Sequence, residues 1–290
     1  MMLSNFSVVY GSKGARVSDR AATTEGRVRL VATDLDGTLL REDRTVSPRT
    51  RQTLTRAISA GVTLVLVTAR PPRFVRRLAS DLGLEGVAIC CNGAMVYDVV
   101  SNALLEHTPI APADATALVL GLREAAPGVA FAVESGLTFG CEPAYLALGS
   151  LSQPQDEWLA DAEALCAQPV TKLIARHAER GAEELHPLAT RLAEGRAVVT
   201  YSSPRFVEMS AVGVDKAATL ARLCERLGVS PAEVVAFGDM PNDAAMLRWA
   251  GRGIAVANAH AEALAAASAV TASNMDDGVA LAVERLLDLA

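Results

Sequence analysis

The chain has 290 residues and a net charge of −6, with its basic residues scattered rather than gathered into a stripe, so it lacks the electrostatic footprint of a nucleic-acid binder. Hydrophobic residues make up 51% and aromatics only 4%; the apolar content is therefore mostly Ala, Val and Leu, the filling of helices packed on a parallel sheet. No apolar run approaches the roughly 18 residues that a membrane-spanning helix needs, which argues against a membrane partner.

This length suits one large domain or two smaller ones in contact, and two are expected. The five cysteines include the neighbours Cys90 and Cys91 but no Cys-x-x-Cys spacing, so buried thiols in a reducing cytoplasm fit better than disulfides or zinc. Residues 1–26 mix Ser, Gly, Arg and Thr around one short apolar patch, Phe6 to Tyr10. They read as a disordered extension without the core of a signal peptide.

From Val28 the pattern runs strand, helix, strand, helix, strand, the alternation of a doubly wound parallel sheet. Val28 to Thr33 is a strand; Ser47 and Pro48 start a helix that Gly61 closes before the strand Val62 to Val67. Pro71 and Pro72 open a second helix, ended by Gly83. Val87 to Cys90 is a third strand, and Asn92-Gly93 turns the chain into a hairpin. Between about Ala111 and Pro204 the grammar changes, with strands at Val129 to Val133, Val170 to Arg176 and Ala197 to Tyr201. Strand and helix alternate again from Asp215. The expected division is thus a discontinuous α/β core of residues 27–110 and 205–290, with residues 111–204 as an inserted α/β domain.

Four segments carry chemistry. In Asp34-Leu35-Asp36-Gly37-Thr38-Leu39 both carboxylates follow a buried strand, at the end where open α/β sheets place their ligands. Residues two apart in extended chain point the same way, and two like charges so close need a cation between them. A metal there frees Asp34 to attack phosphorus while Asp36 handles protons. An ordinary Asp-Gly turn is the competing reading. Thr68-Ala69-Arg70 follows the second buried strand, where a hydroxyl and backbone N–H groups can hold phosphate oxygens, although helix-start grammar explains the same residues. Lys216 opens a helix, where the dipole favours negative charge, so it asks for an anion unless it is a solvated lysine beside the N-cap Asp215. Gly238-Asp239-Met240-Pro241-Asn242-Asp243 follows another apolar strand. Its Asp239 can complete an oxygen-rich magnesium site with Asp34, the backbone carbonyl of Asp36, a substrate phosphate and waters.

Taken in order, these segments resemble the four motifs of the haloacid dehalogenase superfamily, over residues 28 to 290. Three further stretches resemble its Cof-type branch: Asn92-Gly93-Ala94, Gly253 to Ala259, and Asn274 to Ala280. The insert falls where the cap of that branch lies. The resemblance implies a magnesium-dependent phosphatase of small phosphorylated metabolites, with Asp34 as nucleophile and metal ligand, Asp36 as general acid/base and Asp239 as a further ligand. It implies phosphate contacts from Leu35 N–H, Thr68, Ala69 N–H, Lys216 and Asn242. Asp243 would orient Lys216 or a metal-bound water, and Arg70 is a candidate contact to substrate or cap. The branch usually has Gly where this chain has Ala69, so that backbone contact depends on the local φ. A phosphomutase and a binding protein on the same scaffold are the alternatives. Within the cap, His177, His186, Glu134, Glu142, Arg176 and Tyr201 are polar candidates, each with a plainer surface or capping role. His107 and His260 read as structural.

Overall fold

A computed structural model of the chain describes residues 27–82, 86–149 and 157–288. The expected extension over 1–26 and the helix stop at Gly83 lie outside the described residues.

Strand β1 (Leu30–Thr33) is wholly buried, and its alternating side chains serve two layers. Helix α1 (Pro48–Ser59) starts at Ser47, whose hydroxyl oxygen accepts from the Thr50 N–H at 3.0 Å, and stops before Gly61 at φ +86°. After β2 (Thr63–Val67) and α2 (Pro72–Leu82), strand β3 (Val87–Cys90) runs into an antiparallel edge of β4 (Met95–Asp98) and β5 (Ala103–His107).

The chain then builds a second sheet. Its strands are β6 (Ala130–Ser135), β7 (Thr138–Cys141), β8 (Glu157–Leu159), β9 (Lys172–Arg176), β10 (Ala197–Ser203) and β11 (Phe206–Ala211), in the order β10-β11-β9-β6-β7-β8. Helices α3 (Pro112–Ala125), α4 (Pro143–Ala147), α5 (Ala162–Leu165) and α6 (Ala182–Leu192) accompany it.

The return brings α7 (Lys216–Leu227), β12 (Val234–Gly238), α8 (Ala244–Trp249), β13 (Arg252–Ala255), α9 (Ala261–Ala266), β14 (Ala269–Val270) and α10 (Gly278–Leu286). The first sheet is ordered β14-β13-β12-β1-β2-β3-β4-β5, parallel from β14 to β3. Val31 shares a buried cluster with Leu54 of α1 and Val283 of α10, whereas Leu30 and Ala32 share one with Leu220 of α7 and Met246 of α8. Helices therefore cover both faces, and the central strands read as unbroken apolar runs for that reason. The fold is the expected doubly wound α/β core with an α/β cap.

The expected cap boundary after Pro204 falls inside the β10–β11 hairpin, and it needs moving. Strand β11 pairs antiparallel with β9, so it belongs to the second sheet. We propose that the two domains follow the two sheets, with the return to the core near Val212 and Gly213.

The five cysteines are buried, and burial pushes the Cys91 thiol up to about 12. Among the described residues no helix is long and apolar enough to cross a membrane.

A Cβ added to Gly253 would lie 1.9 Å from the Leu247 carbonyl oxygen, so α8 and β13 pack backbone to backbone. Gly253→Ala should cost about 2 kcal/mol or more, read as a lowered urea midpoint. An unchanged midpoint would contradict this packing.

Candidate active site

Parallel register aligns the strand ends. Thr33 pairs with Phe237 on one side and Leu66 on the other, so the loops that begin at Asp34, Thr68 and Asp239 leave the sheet along one edge. Lys216 reaches that edge as the first residue of α7, whose N-cap Asp215 accepts from the Ala218 N–H at 2.7 Å. Glycines permit the close approach of the loops. Gly37 stands at φ +79°, and a Cβ there would sit 2.4 Å from Asp239 Oδ2.

The Lys216 ammonium, 1% exposed, donates to Asp34 Oδ1 at 2.6 Å and to Asp243 Oδ1 at 2.6 Å. Asp243 spends its other oxygen on the backbone N–H groups of Asp239 and Met240, each at 3.0 Å. Asp239 accepts from the Thr38 hydroxyl at 2.7 Å. Carboxylate oxygens of Asp34, Asp239 and Asp243 lie within 4.8 Å of one another. Three buried acids thus crowd one ammonium. Burial alone would lower the Lys216 pKa, but Asp243 and Asp34 outweigh it and hold the proton on. For the acids the balance is reversed. Burial pushes Asp34 well up, with Asp243, Asp239 and Asp36 adding to the rise against Lys216. Burial and then the Asp243 charge push Asp239 up to about 7.

Asp36 stands apart, on the exposed side of the loop, where both its oxygens pair with the Arg70 guanidinium. Arg70, the candidate contact to substrate or cap, meets the expected proton carrier and borders the cavity described below. Thr68 is fully buried, and its hydroxyl oxygen accepts from Arg70 N–H at 3.1 Å, which keeps the hydroxyl hydrogen available to a ligand. Among the described residues the non-glycine positions with positive φ are Arg44, Cys91, Asn92, Asn102, Asp277 and Asp288, so Ala69 fits its backbone without needing glycine. One amide N–H of Asn242, the expected phosphate contact, donates to Asn92 Oδ1 at 3.0 Å, and the residue borders the same cavity. Leu35 is buried beside Asp34, and its own N–H role rests on the resemblance.

The two late stretches brace the first loop. Asn258 donates to the Gly37 carbonyl at 2.8 Å, and Asn274 donates to the Leu40 carbonyl at 2.8 Å while its own N–H meets Asn258 Oδ1 at 2.9 Å. His260 N–H donates to the Asp239 carbonyl at 2.7 Å, a backbone contact, and its ring caps α9 through Glu262 N–H.

Above these residues lies a cavity of about 290 Å³ between the two sheets, bordered by Asp34, Asp36 and Asn242 below and by Glu134, Phe139 and Glu208 above. Of the six polar cap candidates, Glu134 borders it, held by both terminal nitrogens of Arg73 at 2.7 and 2.8 Å. Glu142 instead accepts from the Phe131 N–H, and Arg176 donates to the carbonyls of Leu148 and Gly149. His107 bonds Thr171, in keeping with a structural part. Arg73, Glu208 and Lys172 were missed. The signal lay in Glu208, a charge inside the largely apolar strand β11, and in Lys172, a charge that opens the buried strand β9.

The donor set fits magnesium, because all three side chains are hard carboxylates with more negative charge than Lys216 balances. Asp34 and Asp239 would hold the ion with the Asp36 carbonyl, since Asp243 is already engaged by Lys216 and two N–H groups. Asp239 yields a prediction on stability. An acid whose folded pKa lies above its unfolded value contributes most at low pH, and that contribution is lost as pH rises from about 4 to about 7. In chelator, Asp239→Asn should therefore melt higher than wild type at about pH 8, with the difference shrinking towards about pH 5. A pH-independent difference would contradict it.

A family model described as haloacid dehalogenase-like hydrolase matches residues 31–283. The chain is 30% identical over 257 residues to the 5-amino-6-(5-phospho-D-ribitylamino)uracil phosphatase YcsE of Bacillus subtilis (strain 168), covering 88% of this chain and 94% of that protein. It is 32% identical over 243 residues to the HMP-PP phosphatase of Cronobacter sakazakii (strain ATCC BAA-894), covering 82% and 87%. The crystal structure of a haloacid dehalogenase-like hydrolase from Bacteroides thetaiotaomicron matches with a TM-score of 0.71 at 29% identity, covering 90% of this chain and all of that one. With its strand-end aspartates and its buried lysine in one cluster, the chain belongs to the haloacid dehalogenase-like hydrolases, in their Cof-type branch, and is a phosphatase.

Proposed function

We propose that this phosphatase hydrolyses phosphomonoesters of small metabolites through a covalent aspartyl-phosphate on Asp34. The observation that carries the reading is Asp34 itself, 5% exposed at the floor of the cavity with one oxygen fixed on Lys216. Such a carboxylate is held rigidly and largely stripped of water, as a nucleophile should be.

In the first step Asp34 Oδ2 attacks phosphorus, and the bond to the leaving oxygen breaks as Asp36 gives that oxygen a proton. In the second, Asp36 takes a proton from water, the water oxygen attacks phosphorus, and Asp34 leaves as a carboxylate. Arg70 must release Asp36 for either transfer, which also frees the guanidinium to meet the substrate. Lys216 has three N–H donors, two already placed on Asp34 and Asp243, and the third is assigned to a phosphate oxygen. The Thr68 hydroxyl, the N–H groups of Leu35 and Ala69, and the second amide N–H of Asn242 are assigned to the remaining oxygens. Magnesium, held by Asp34, Asp239 and the Asp36 carbonyl, would supply the positive charge that phosphoryl transfer demands.

The YcsE and HMP-PP relatives are named as phosphatases of small phosphorylated compounds, which supports a metabolite as substrate. A cytoplasmic setting belongs to the same reading, supported by the buried thiols.

The test is phosphate release from a panel of phosphorylated metabolites, by wild type and by Asp34→Asn, each with magnesium or with chelator. Wild type with magnesium should release phosphate, and Asp34→Asn should lose about 1,000-fold or more, the usual scale for removing a covalent nucleophile. Undiminished release by Asp34→Asn would sink the reading. Turnover only when an acceptor hydroxyl is supplied would favour a mutase, and no turnover at all would favour a binding protein.

A further inference from the structure

A buried ion pair of the cap touches the loop after β2 directly and, through Asn92, reaches the loop after β12. Lys172 on β9 and Glu208 on β11, 4% and 1% exposed, meet at 2.5 Å. Lys172 also donates to the Ala69 carbonyl at 2.8 Å, inside the Thr68-Ala69-Arg70 loop. Glu208 Oε2 accepts from Ser202 at 2.7 Å and from Asn92 Nδ2 at 3.2 Å. Asn92 Oδ1 then accepts from Asn242 Nδ2 at 3.0 Å. A continuous hydrogen-bonded path thus runs from the cap to the loop after β2 and to the loop after β12.

The direction of the path is fixed by charge. An ionised carboxylate only accepts, so Asn92 must turn its amide nitrogen to Glu208 and its oxygen to Asn242. Asn242 in turn must offer nitrogen to Asn92. Its own oxygen is left buried without a partner, an orientation with a cost that the rest of the path has to impose. The turn that carries Asn92 is held just as firmly. Cys91 and Asn92 both adopt positive φ, and their N–H groups bond the carbonyls of Arg70 and Thr68 at 3.1 and 3.0 Å. Withdrawing the cap would break the Lys172 contact to Ala69 and the Glu208 contact to Asn92 together.

Buried ion pairs contribute little net stability, because desolvation offsets the attraction, so this pair is better explained by what it positions. We propose that Lys172 and Glu208 are positioning residues that couple closure of the cap to the assembly of the phosphate-holding loop and the orientation of Asn242. The catalytic part rests on the phosphatase reading above; the mechanical part does not.

The experiment uses the full chain in five forms: wild type, Glu208→Gln, Asn92→Ala, the double variant carrying both of those changes, and the neutral pair Lys172→Met with Glu208→Gln, which keeps side-chain volume without a lone buried charge. Hydrogen exchange over 63–74 and 87–98 is compared first, on protein shown folded by circular dichroism. Faster exchange of both segments in the neutral pair, with the remaining core unchanged, supports the coupling, and unchanged exchange overturns it. This readout stands even if no substrate is turned over, a result that would count against the phosphatase reading alone. With turnover in hand, kcat should fall about 10- to 100-fold in Glu208→Gln, as for small misplacements of reacting groups, with KM for p-nitrophenyl phosphate nearly unchanged. Adding Asn92→Ala to Glu208→Gln should then cost little more, because both break one path. Wild-type kcat in the neutral pair, or fully additive losses, would overturn the proposal.

Discussion

Three buried carboxylates gathered around one buried ammonium cannot all be satisfied by it, and the organisation of the site follows from that shortage of positive charge. Lys216 is shared between Asp34 and Asp243. Asp239 and Asp34 are left with pKa values pushed upward. A divalent cation would relieve the strain on the acids and bring a phosphate group into the same small volume. The net acidity of the chain is therefore no obstacle to an anionic substrate, because the field that matters is local.

Holding such a cluster together requires backbone to approach side chain closely, and the surrounding sequence supplies it. Gly37 and Gly238 leave room where a Cβ would strike Asp239 or Asp243. Asn258 and Asn274 tie down the carbonyls of the nucleophile loop from the far end of the chain. From above, the cap adds Lys172 and Glu208, with Arg73 of α2 and Glu134 of β6 forming a second contact to the cap. The acids are thus braced from three sides by residues with no chemical step of their own.

Much of this was legible in the sequence because it depends on local grammar. A carboxylate directly after an apolar strand, or a lysine at a helix start, announces its position without reference to distant residues. The core strands were legible for the same reason: burial on both faces leaves unbroken runs of Val, Leu and Ala. What escaped depends on pairing between distant segments. The change of pattern at Pro204 reads as the end of the inserted domain, yet Pro204 and Arg205 are the turn of a hairpin whose second strand pairs into the second sheet. Asp36 and Arg70 are 34 residues apart and their pairing follows from tertiary geometry alone. Glu208 was visible as a charge within an apolar strand and Lys172 as a charge at the start of one, but nothing in either strand said which loops they would touch.

The central claim is that Asp34 carries the phosphoryl group, and rapid quenching with borohydride during turnover tests it directly. Borohydride reduces an acyl phosphate, so peptide mass spectrometry should find homoserine at position 34, only in protein quenched with substrate and magnesium present. Continued turnover with unmodified Asp34, or reduction at a different carboxylate, would contradict the account.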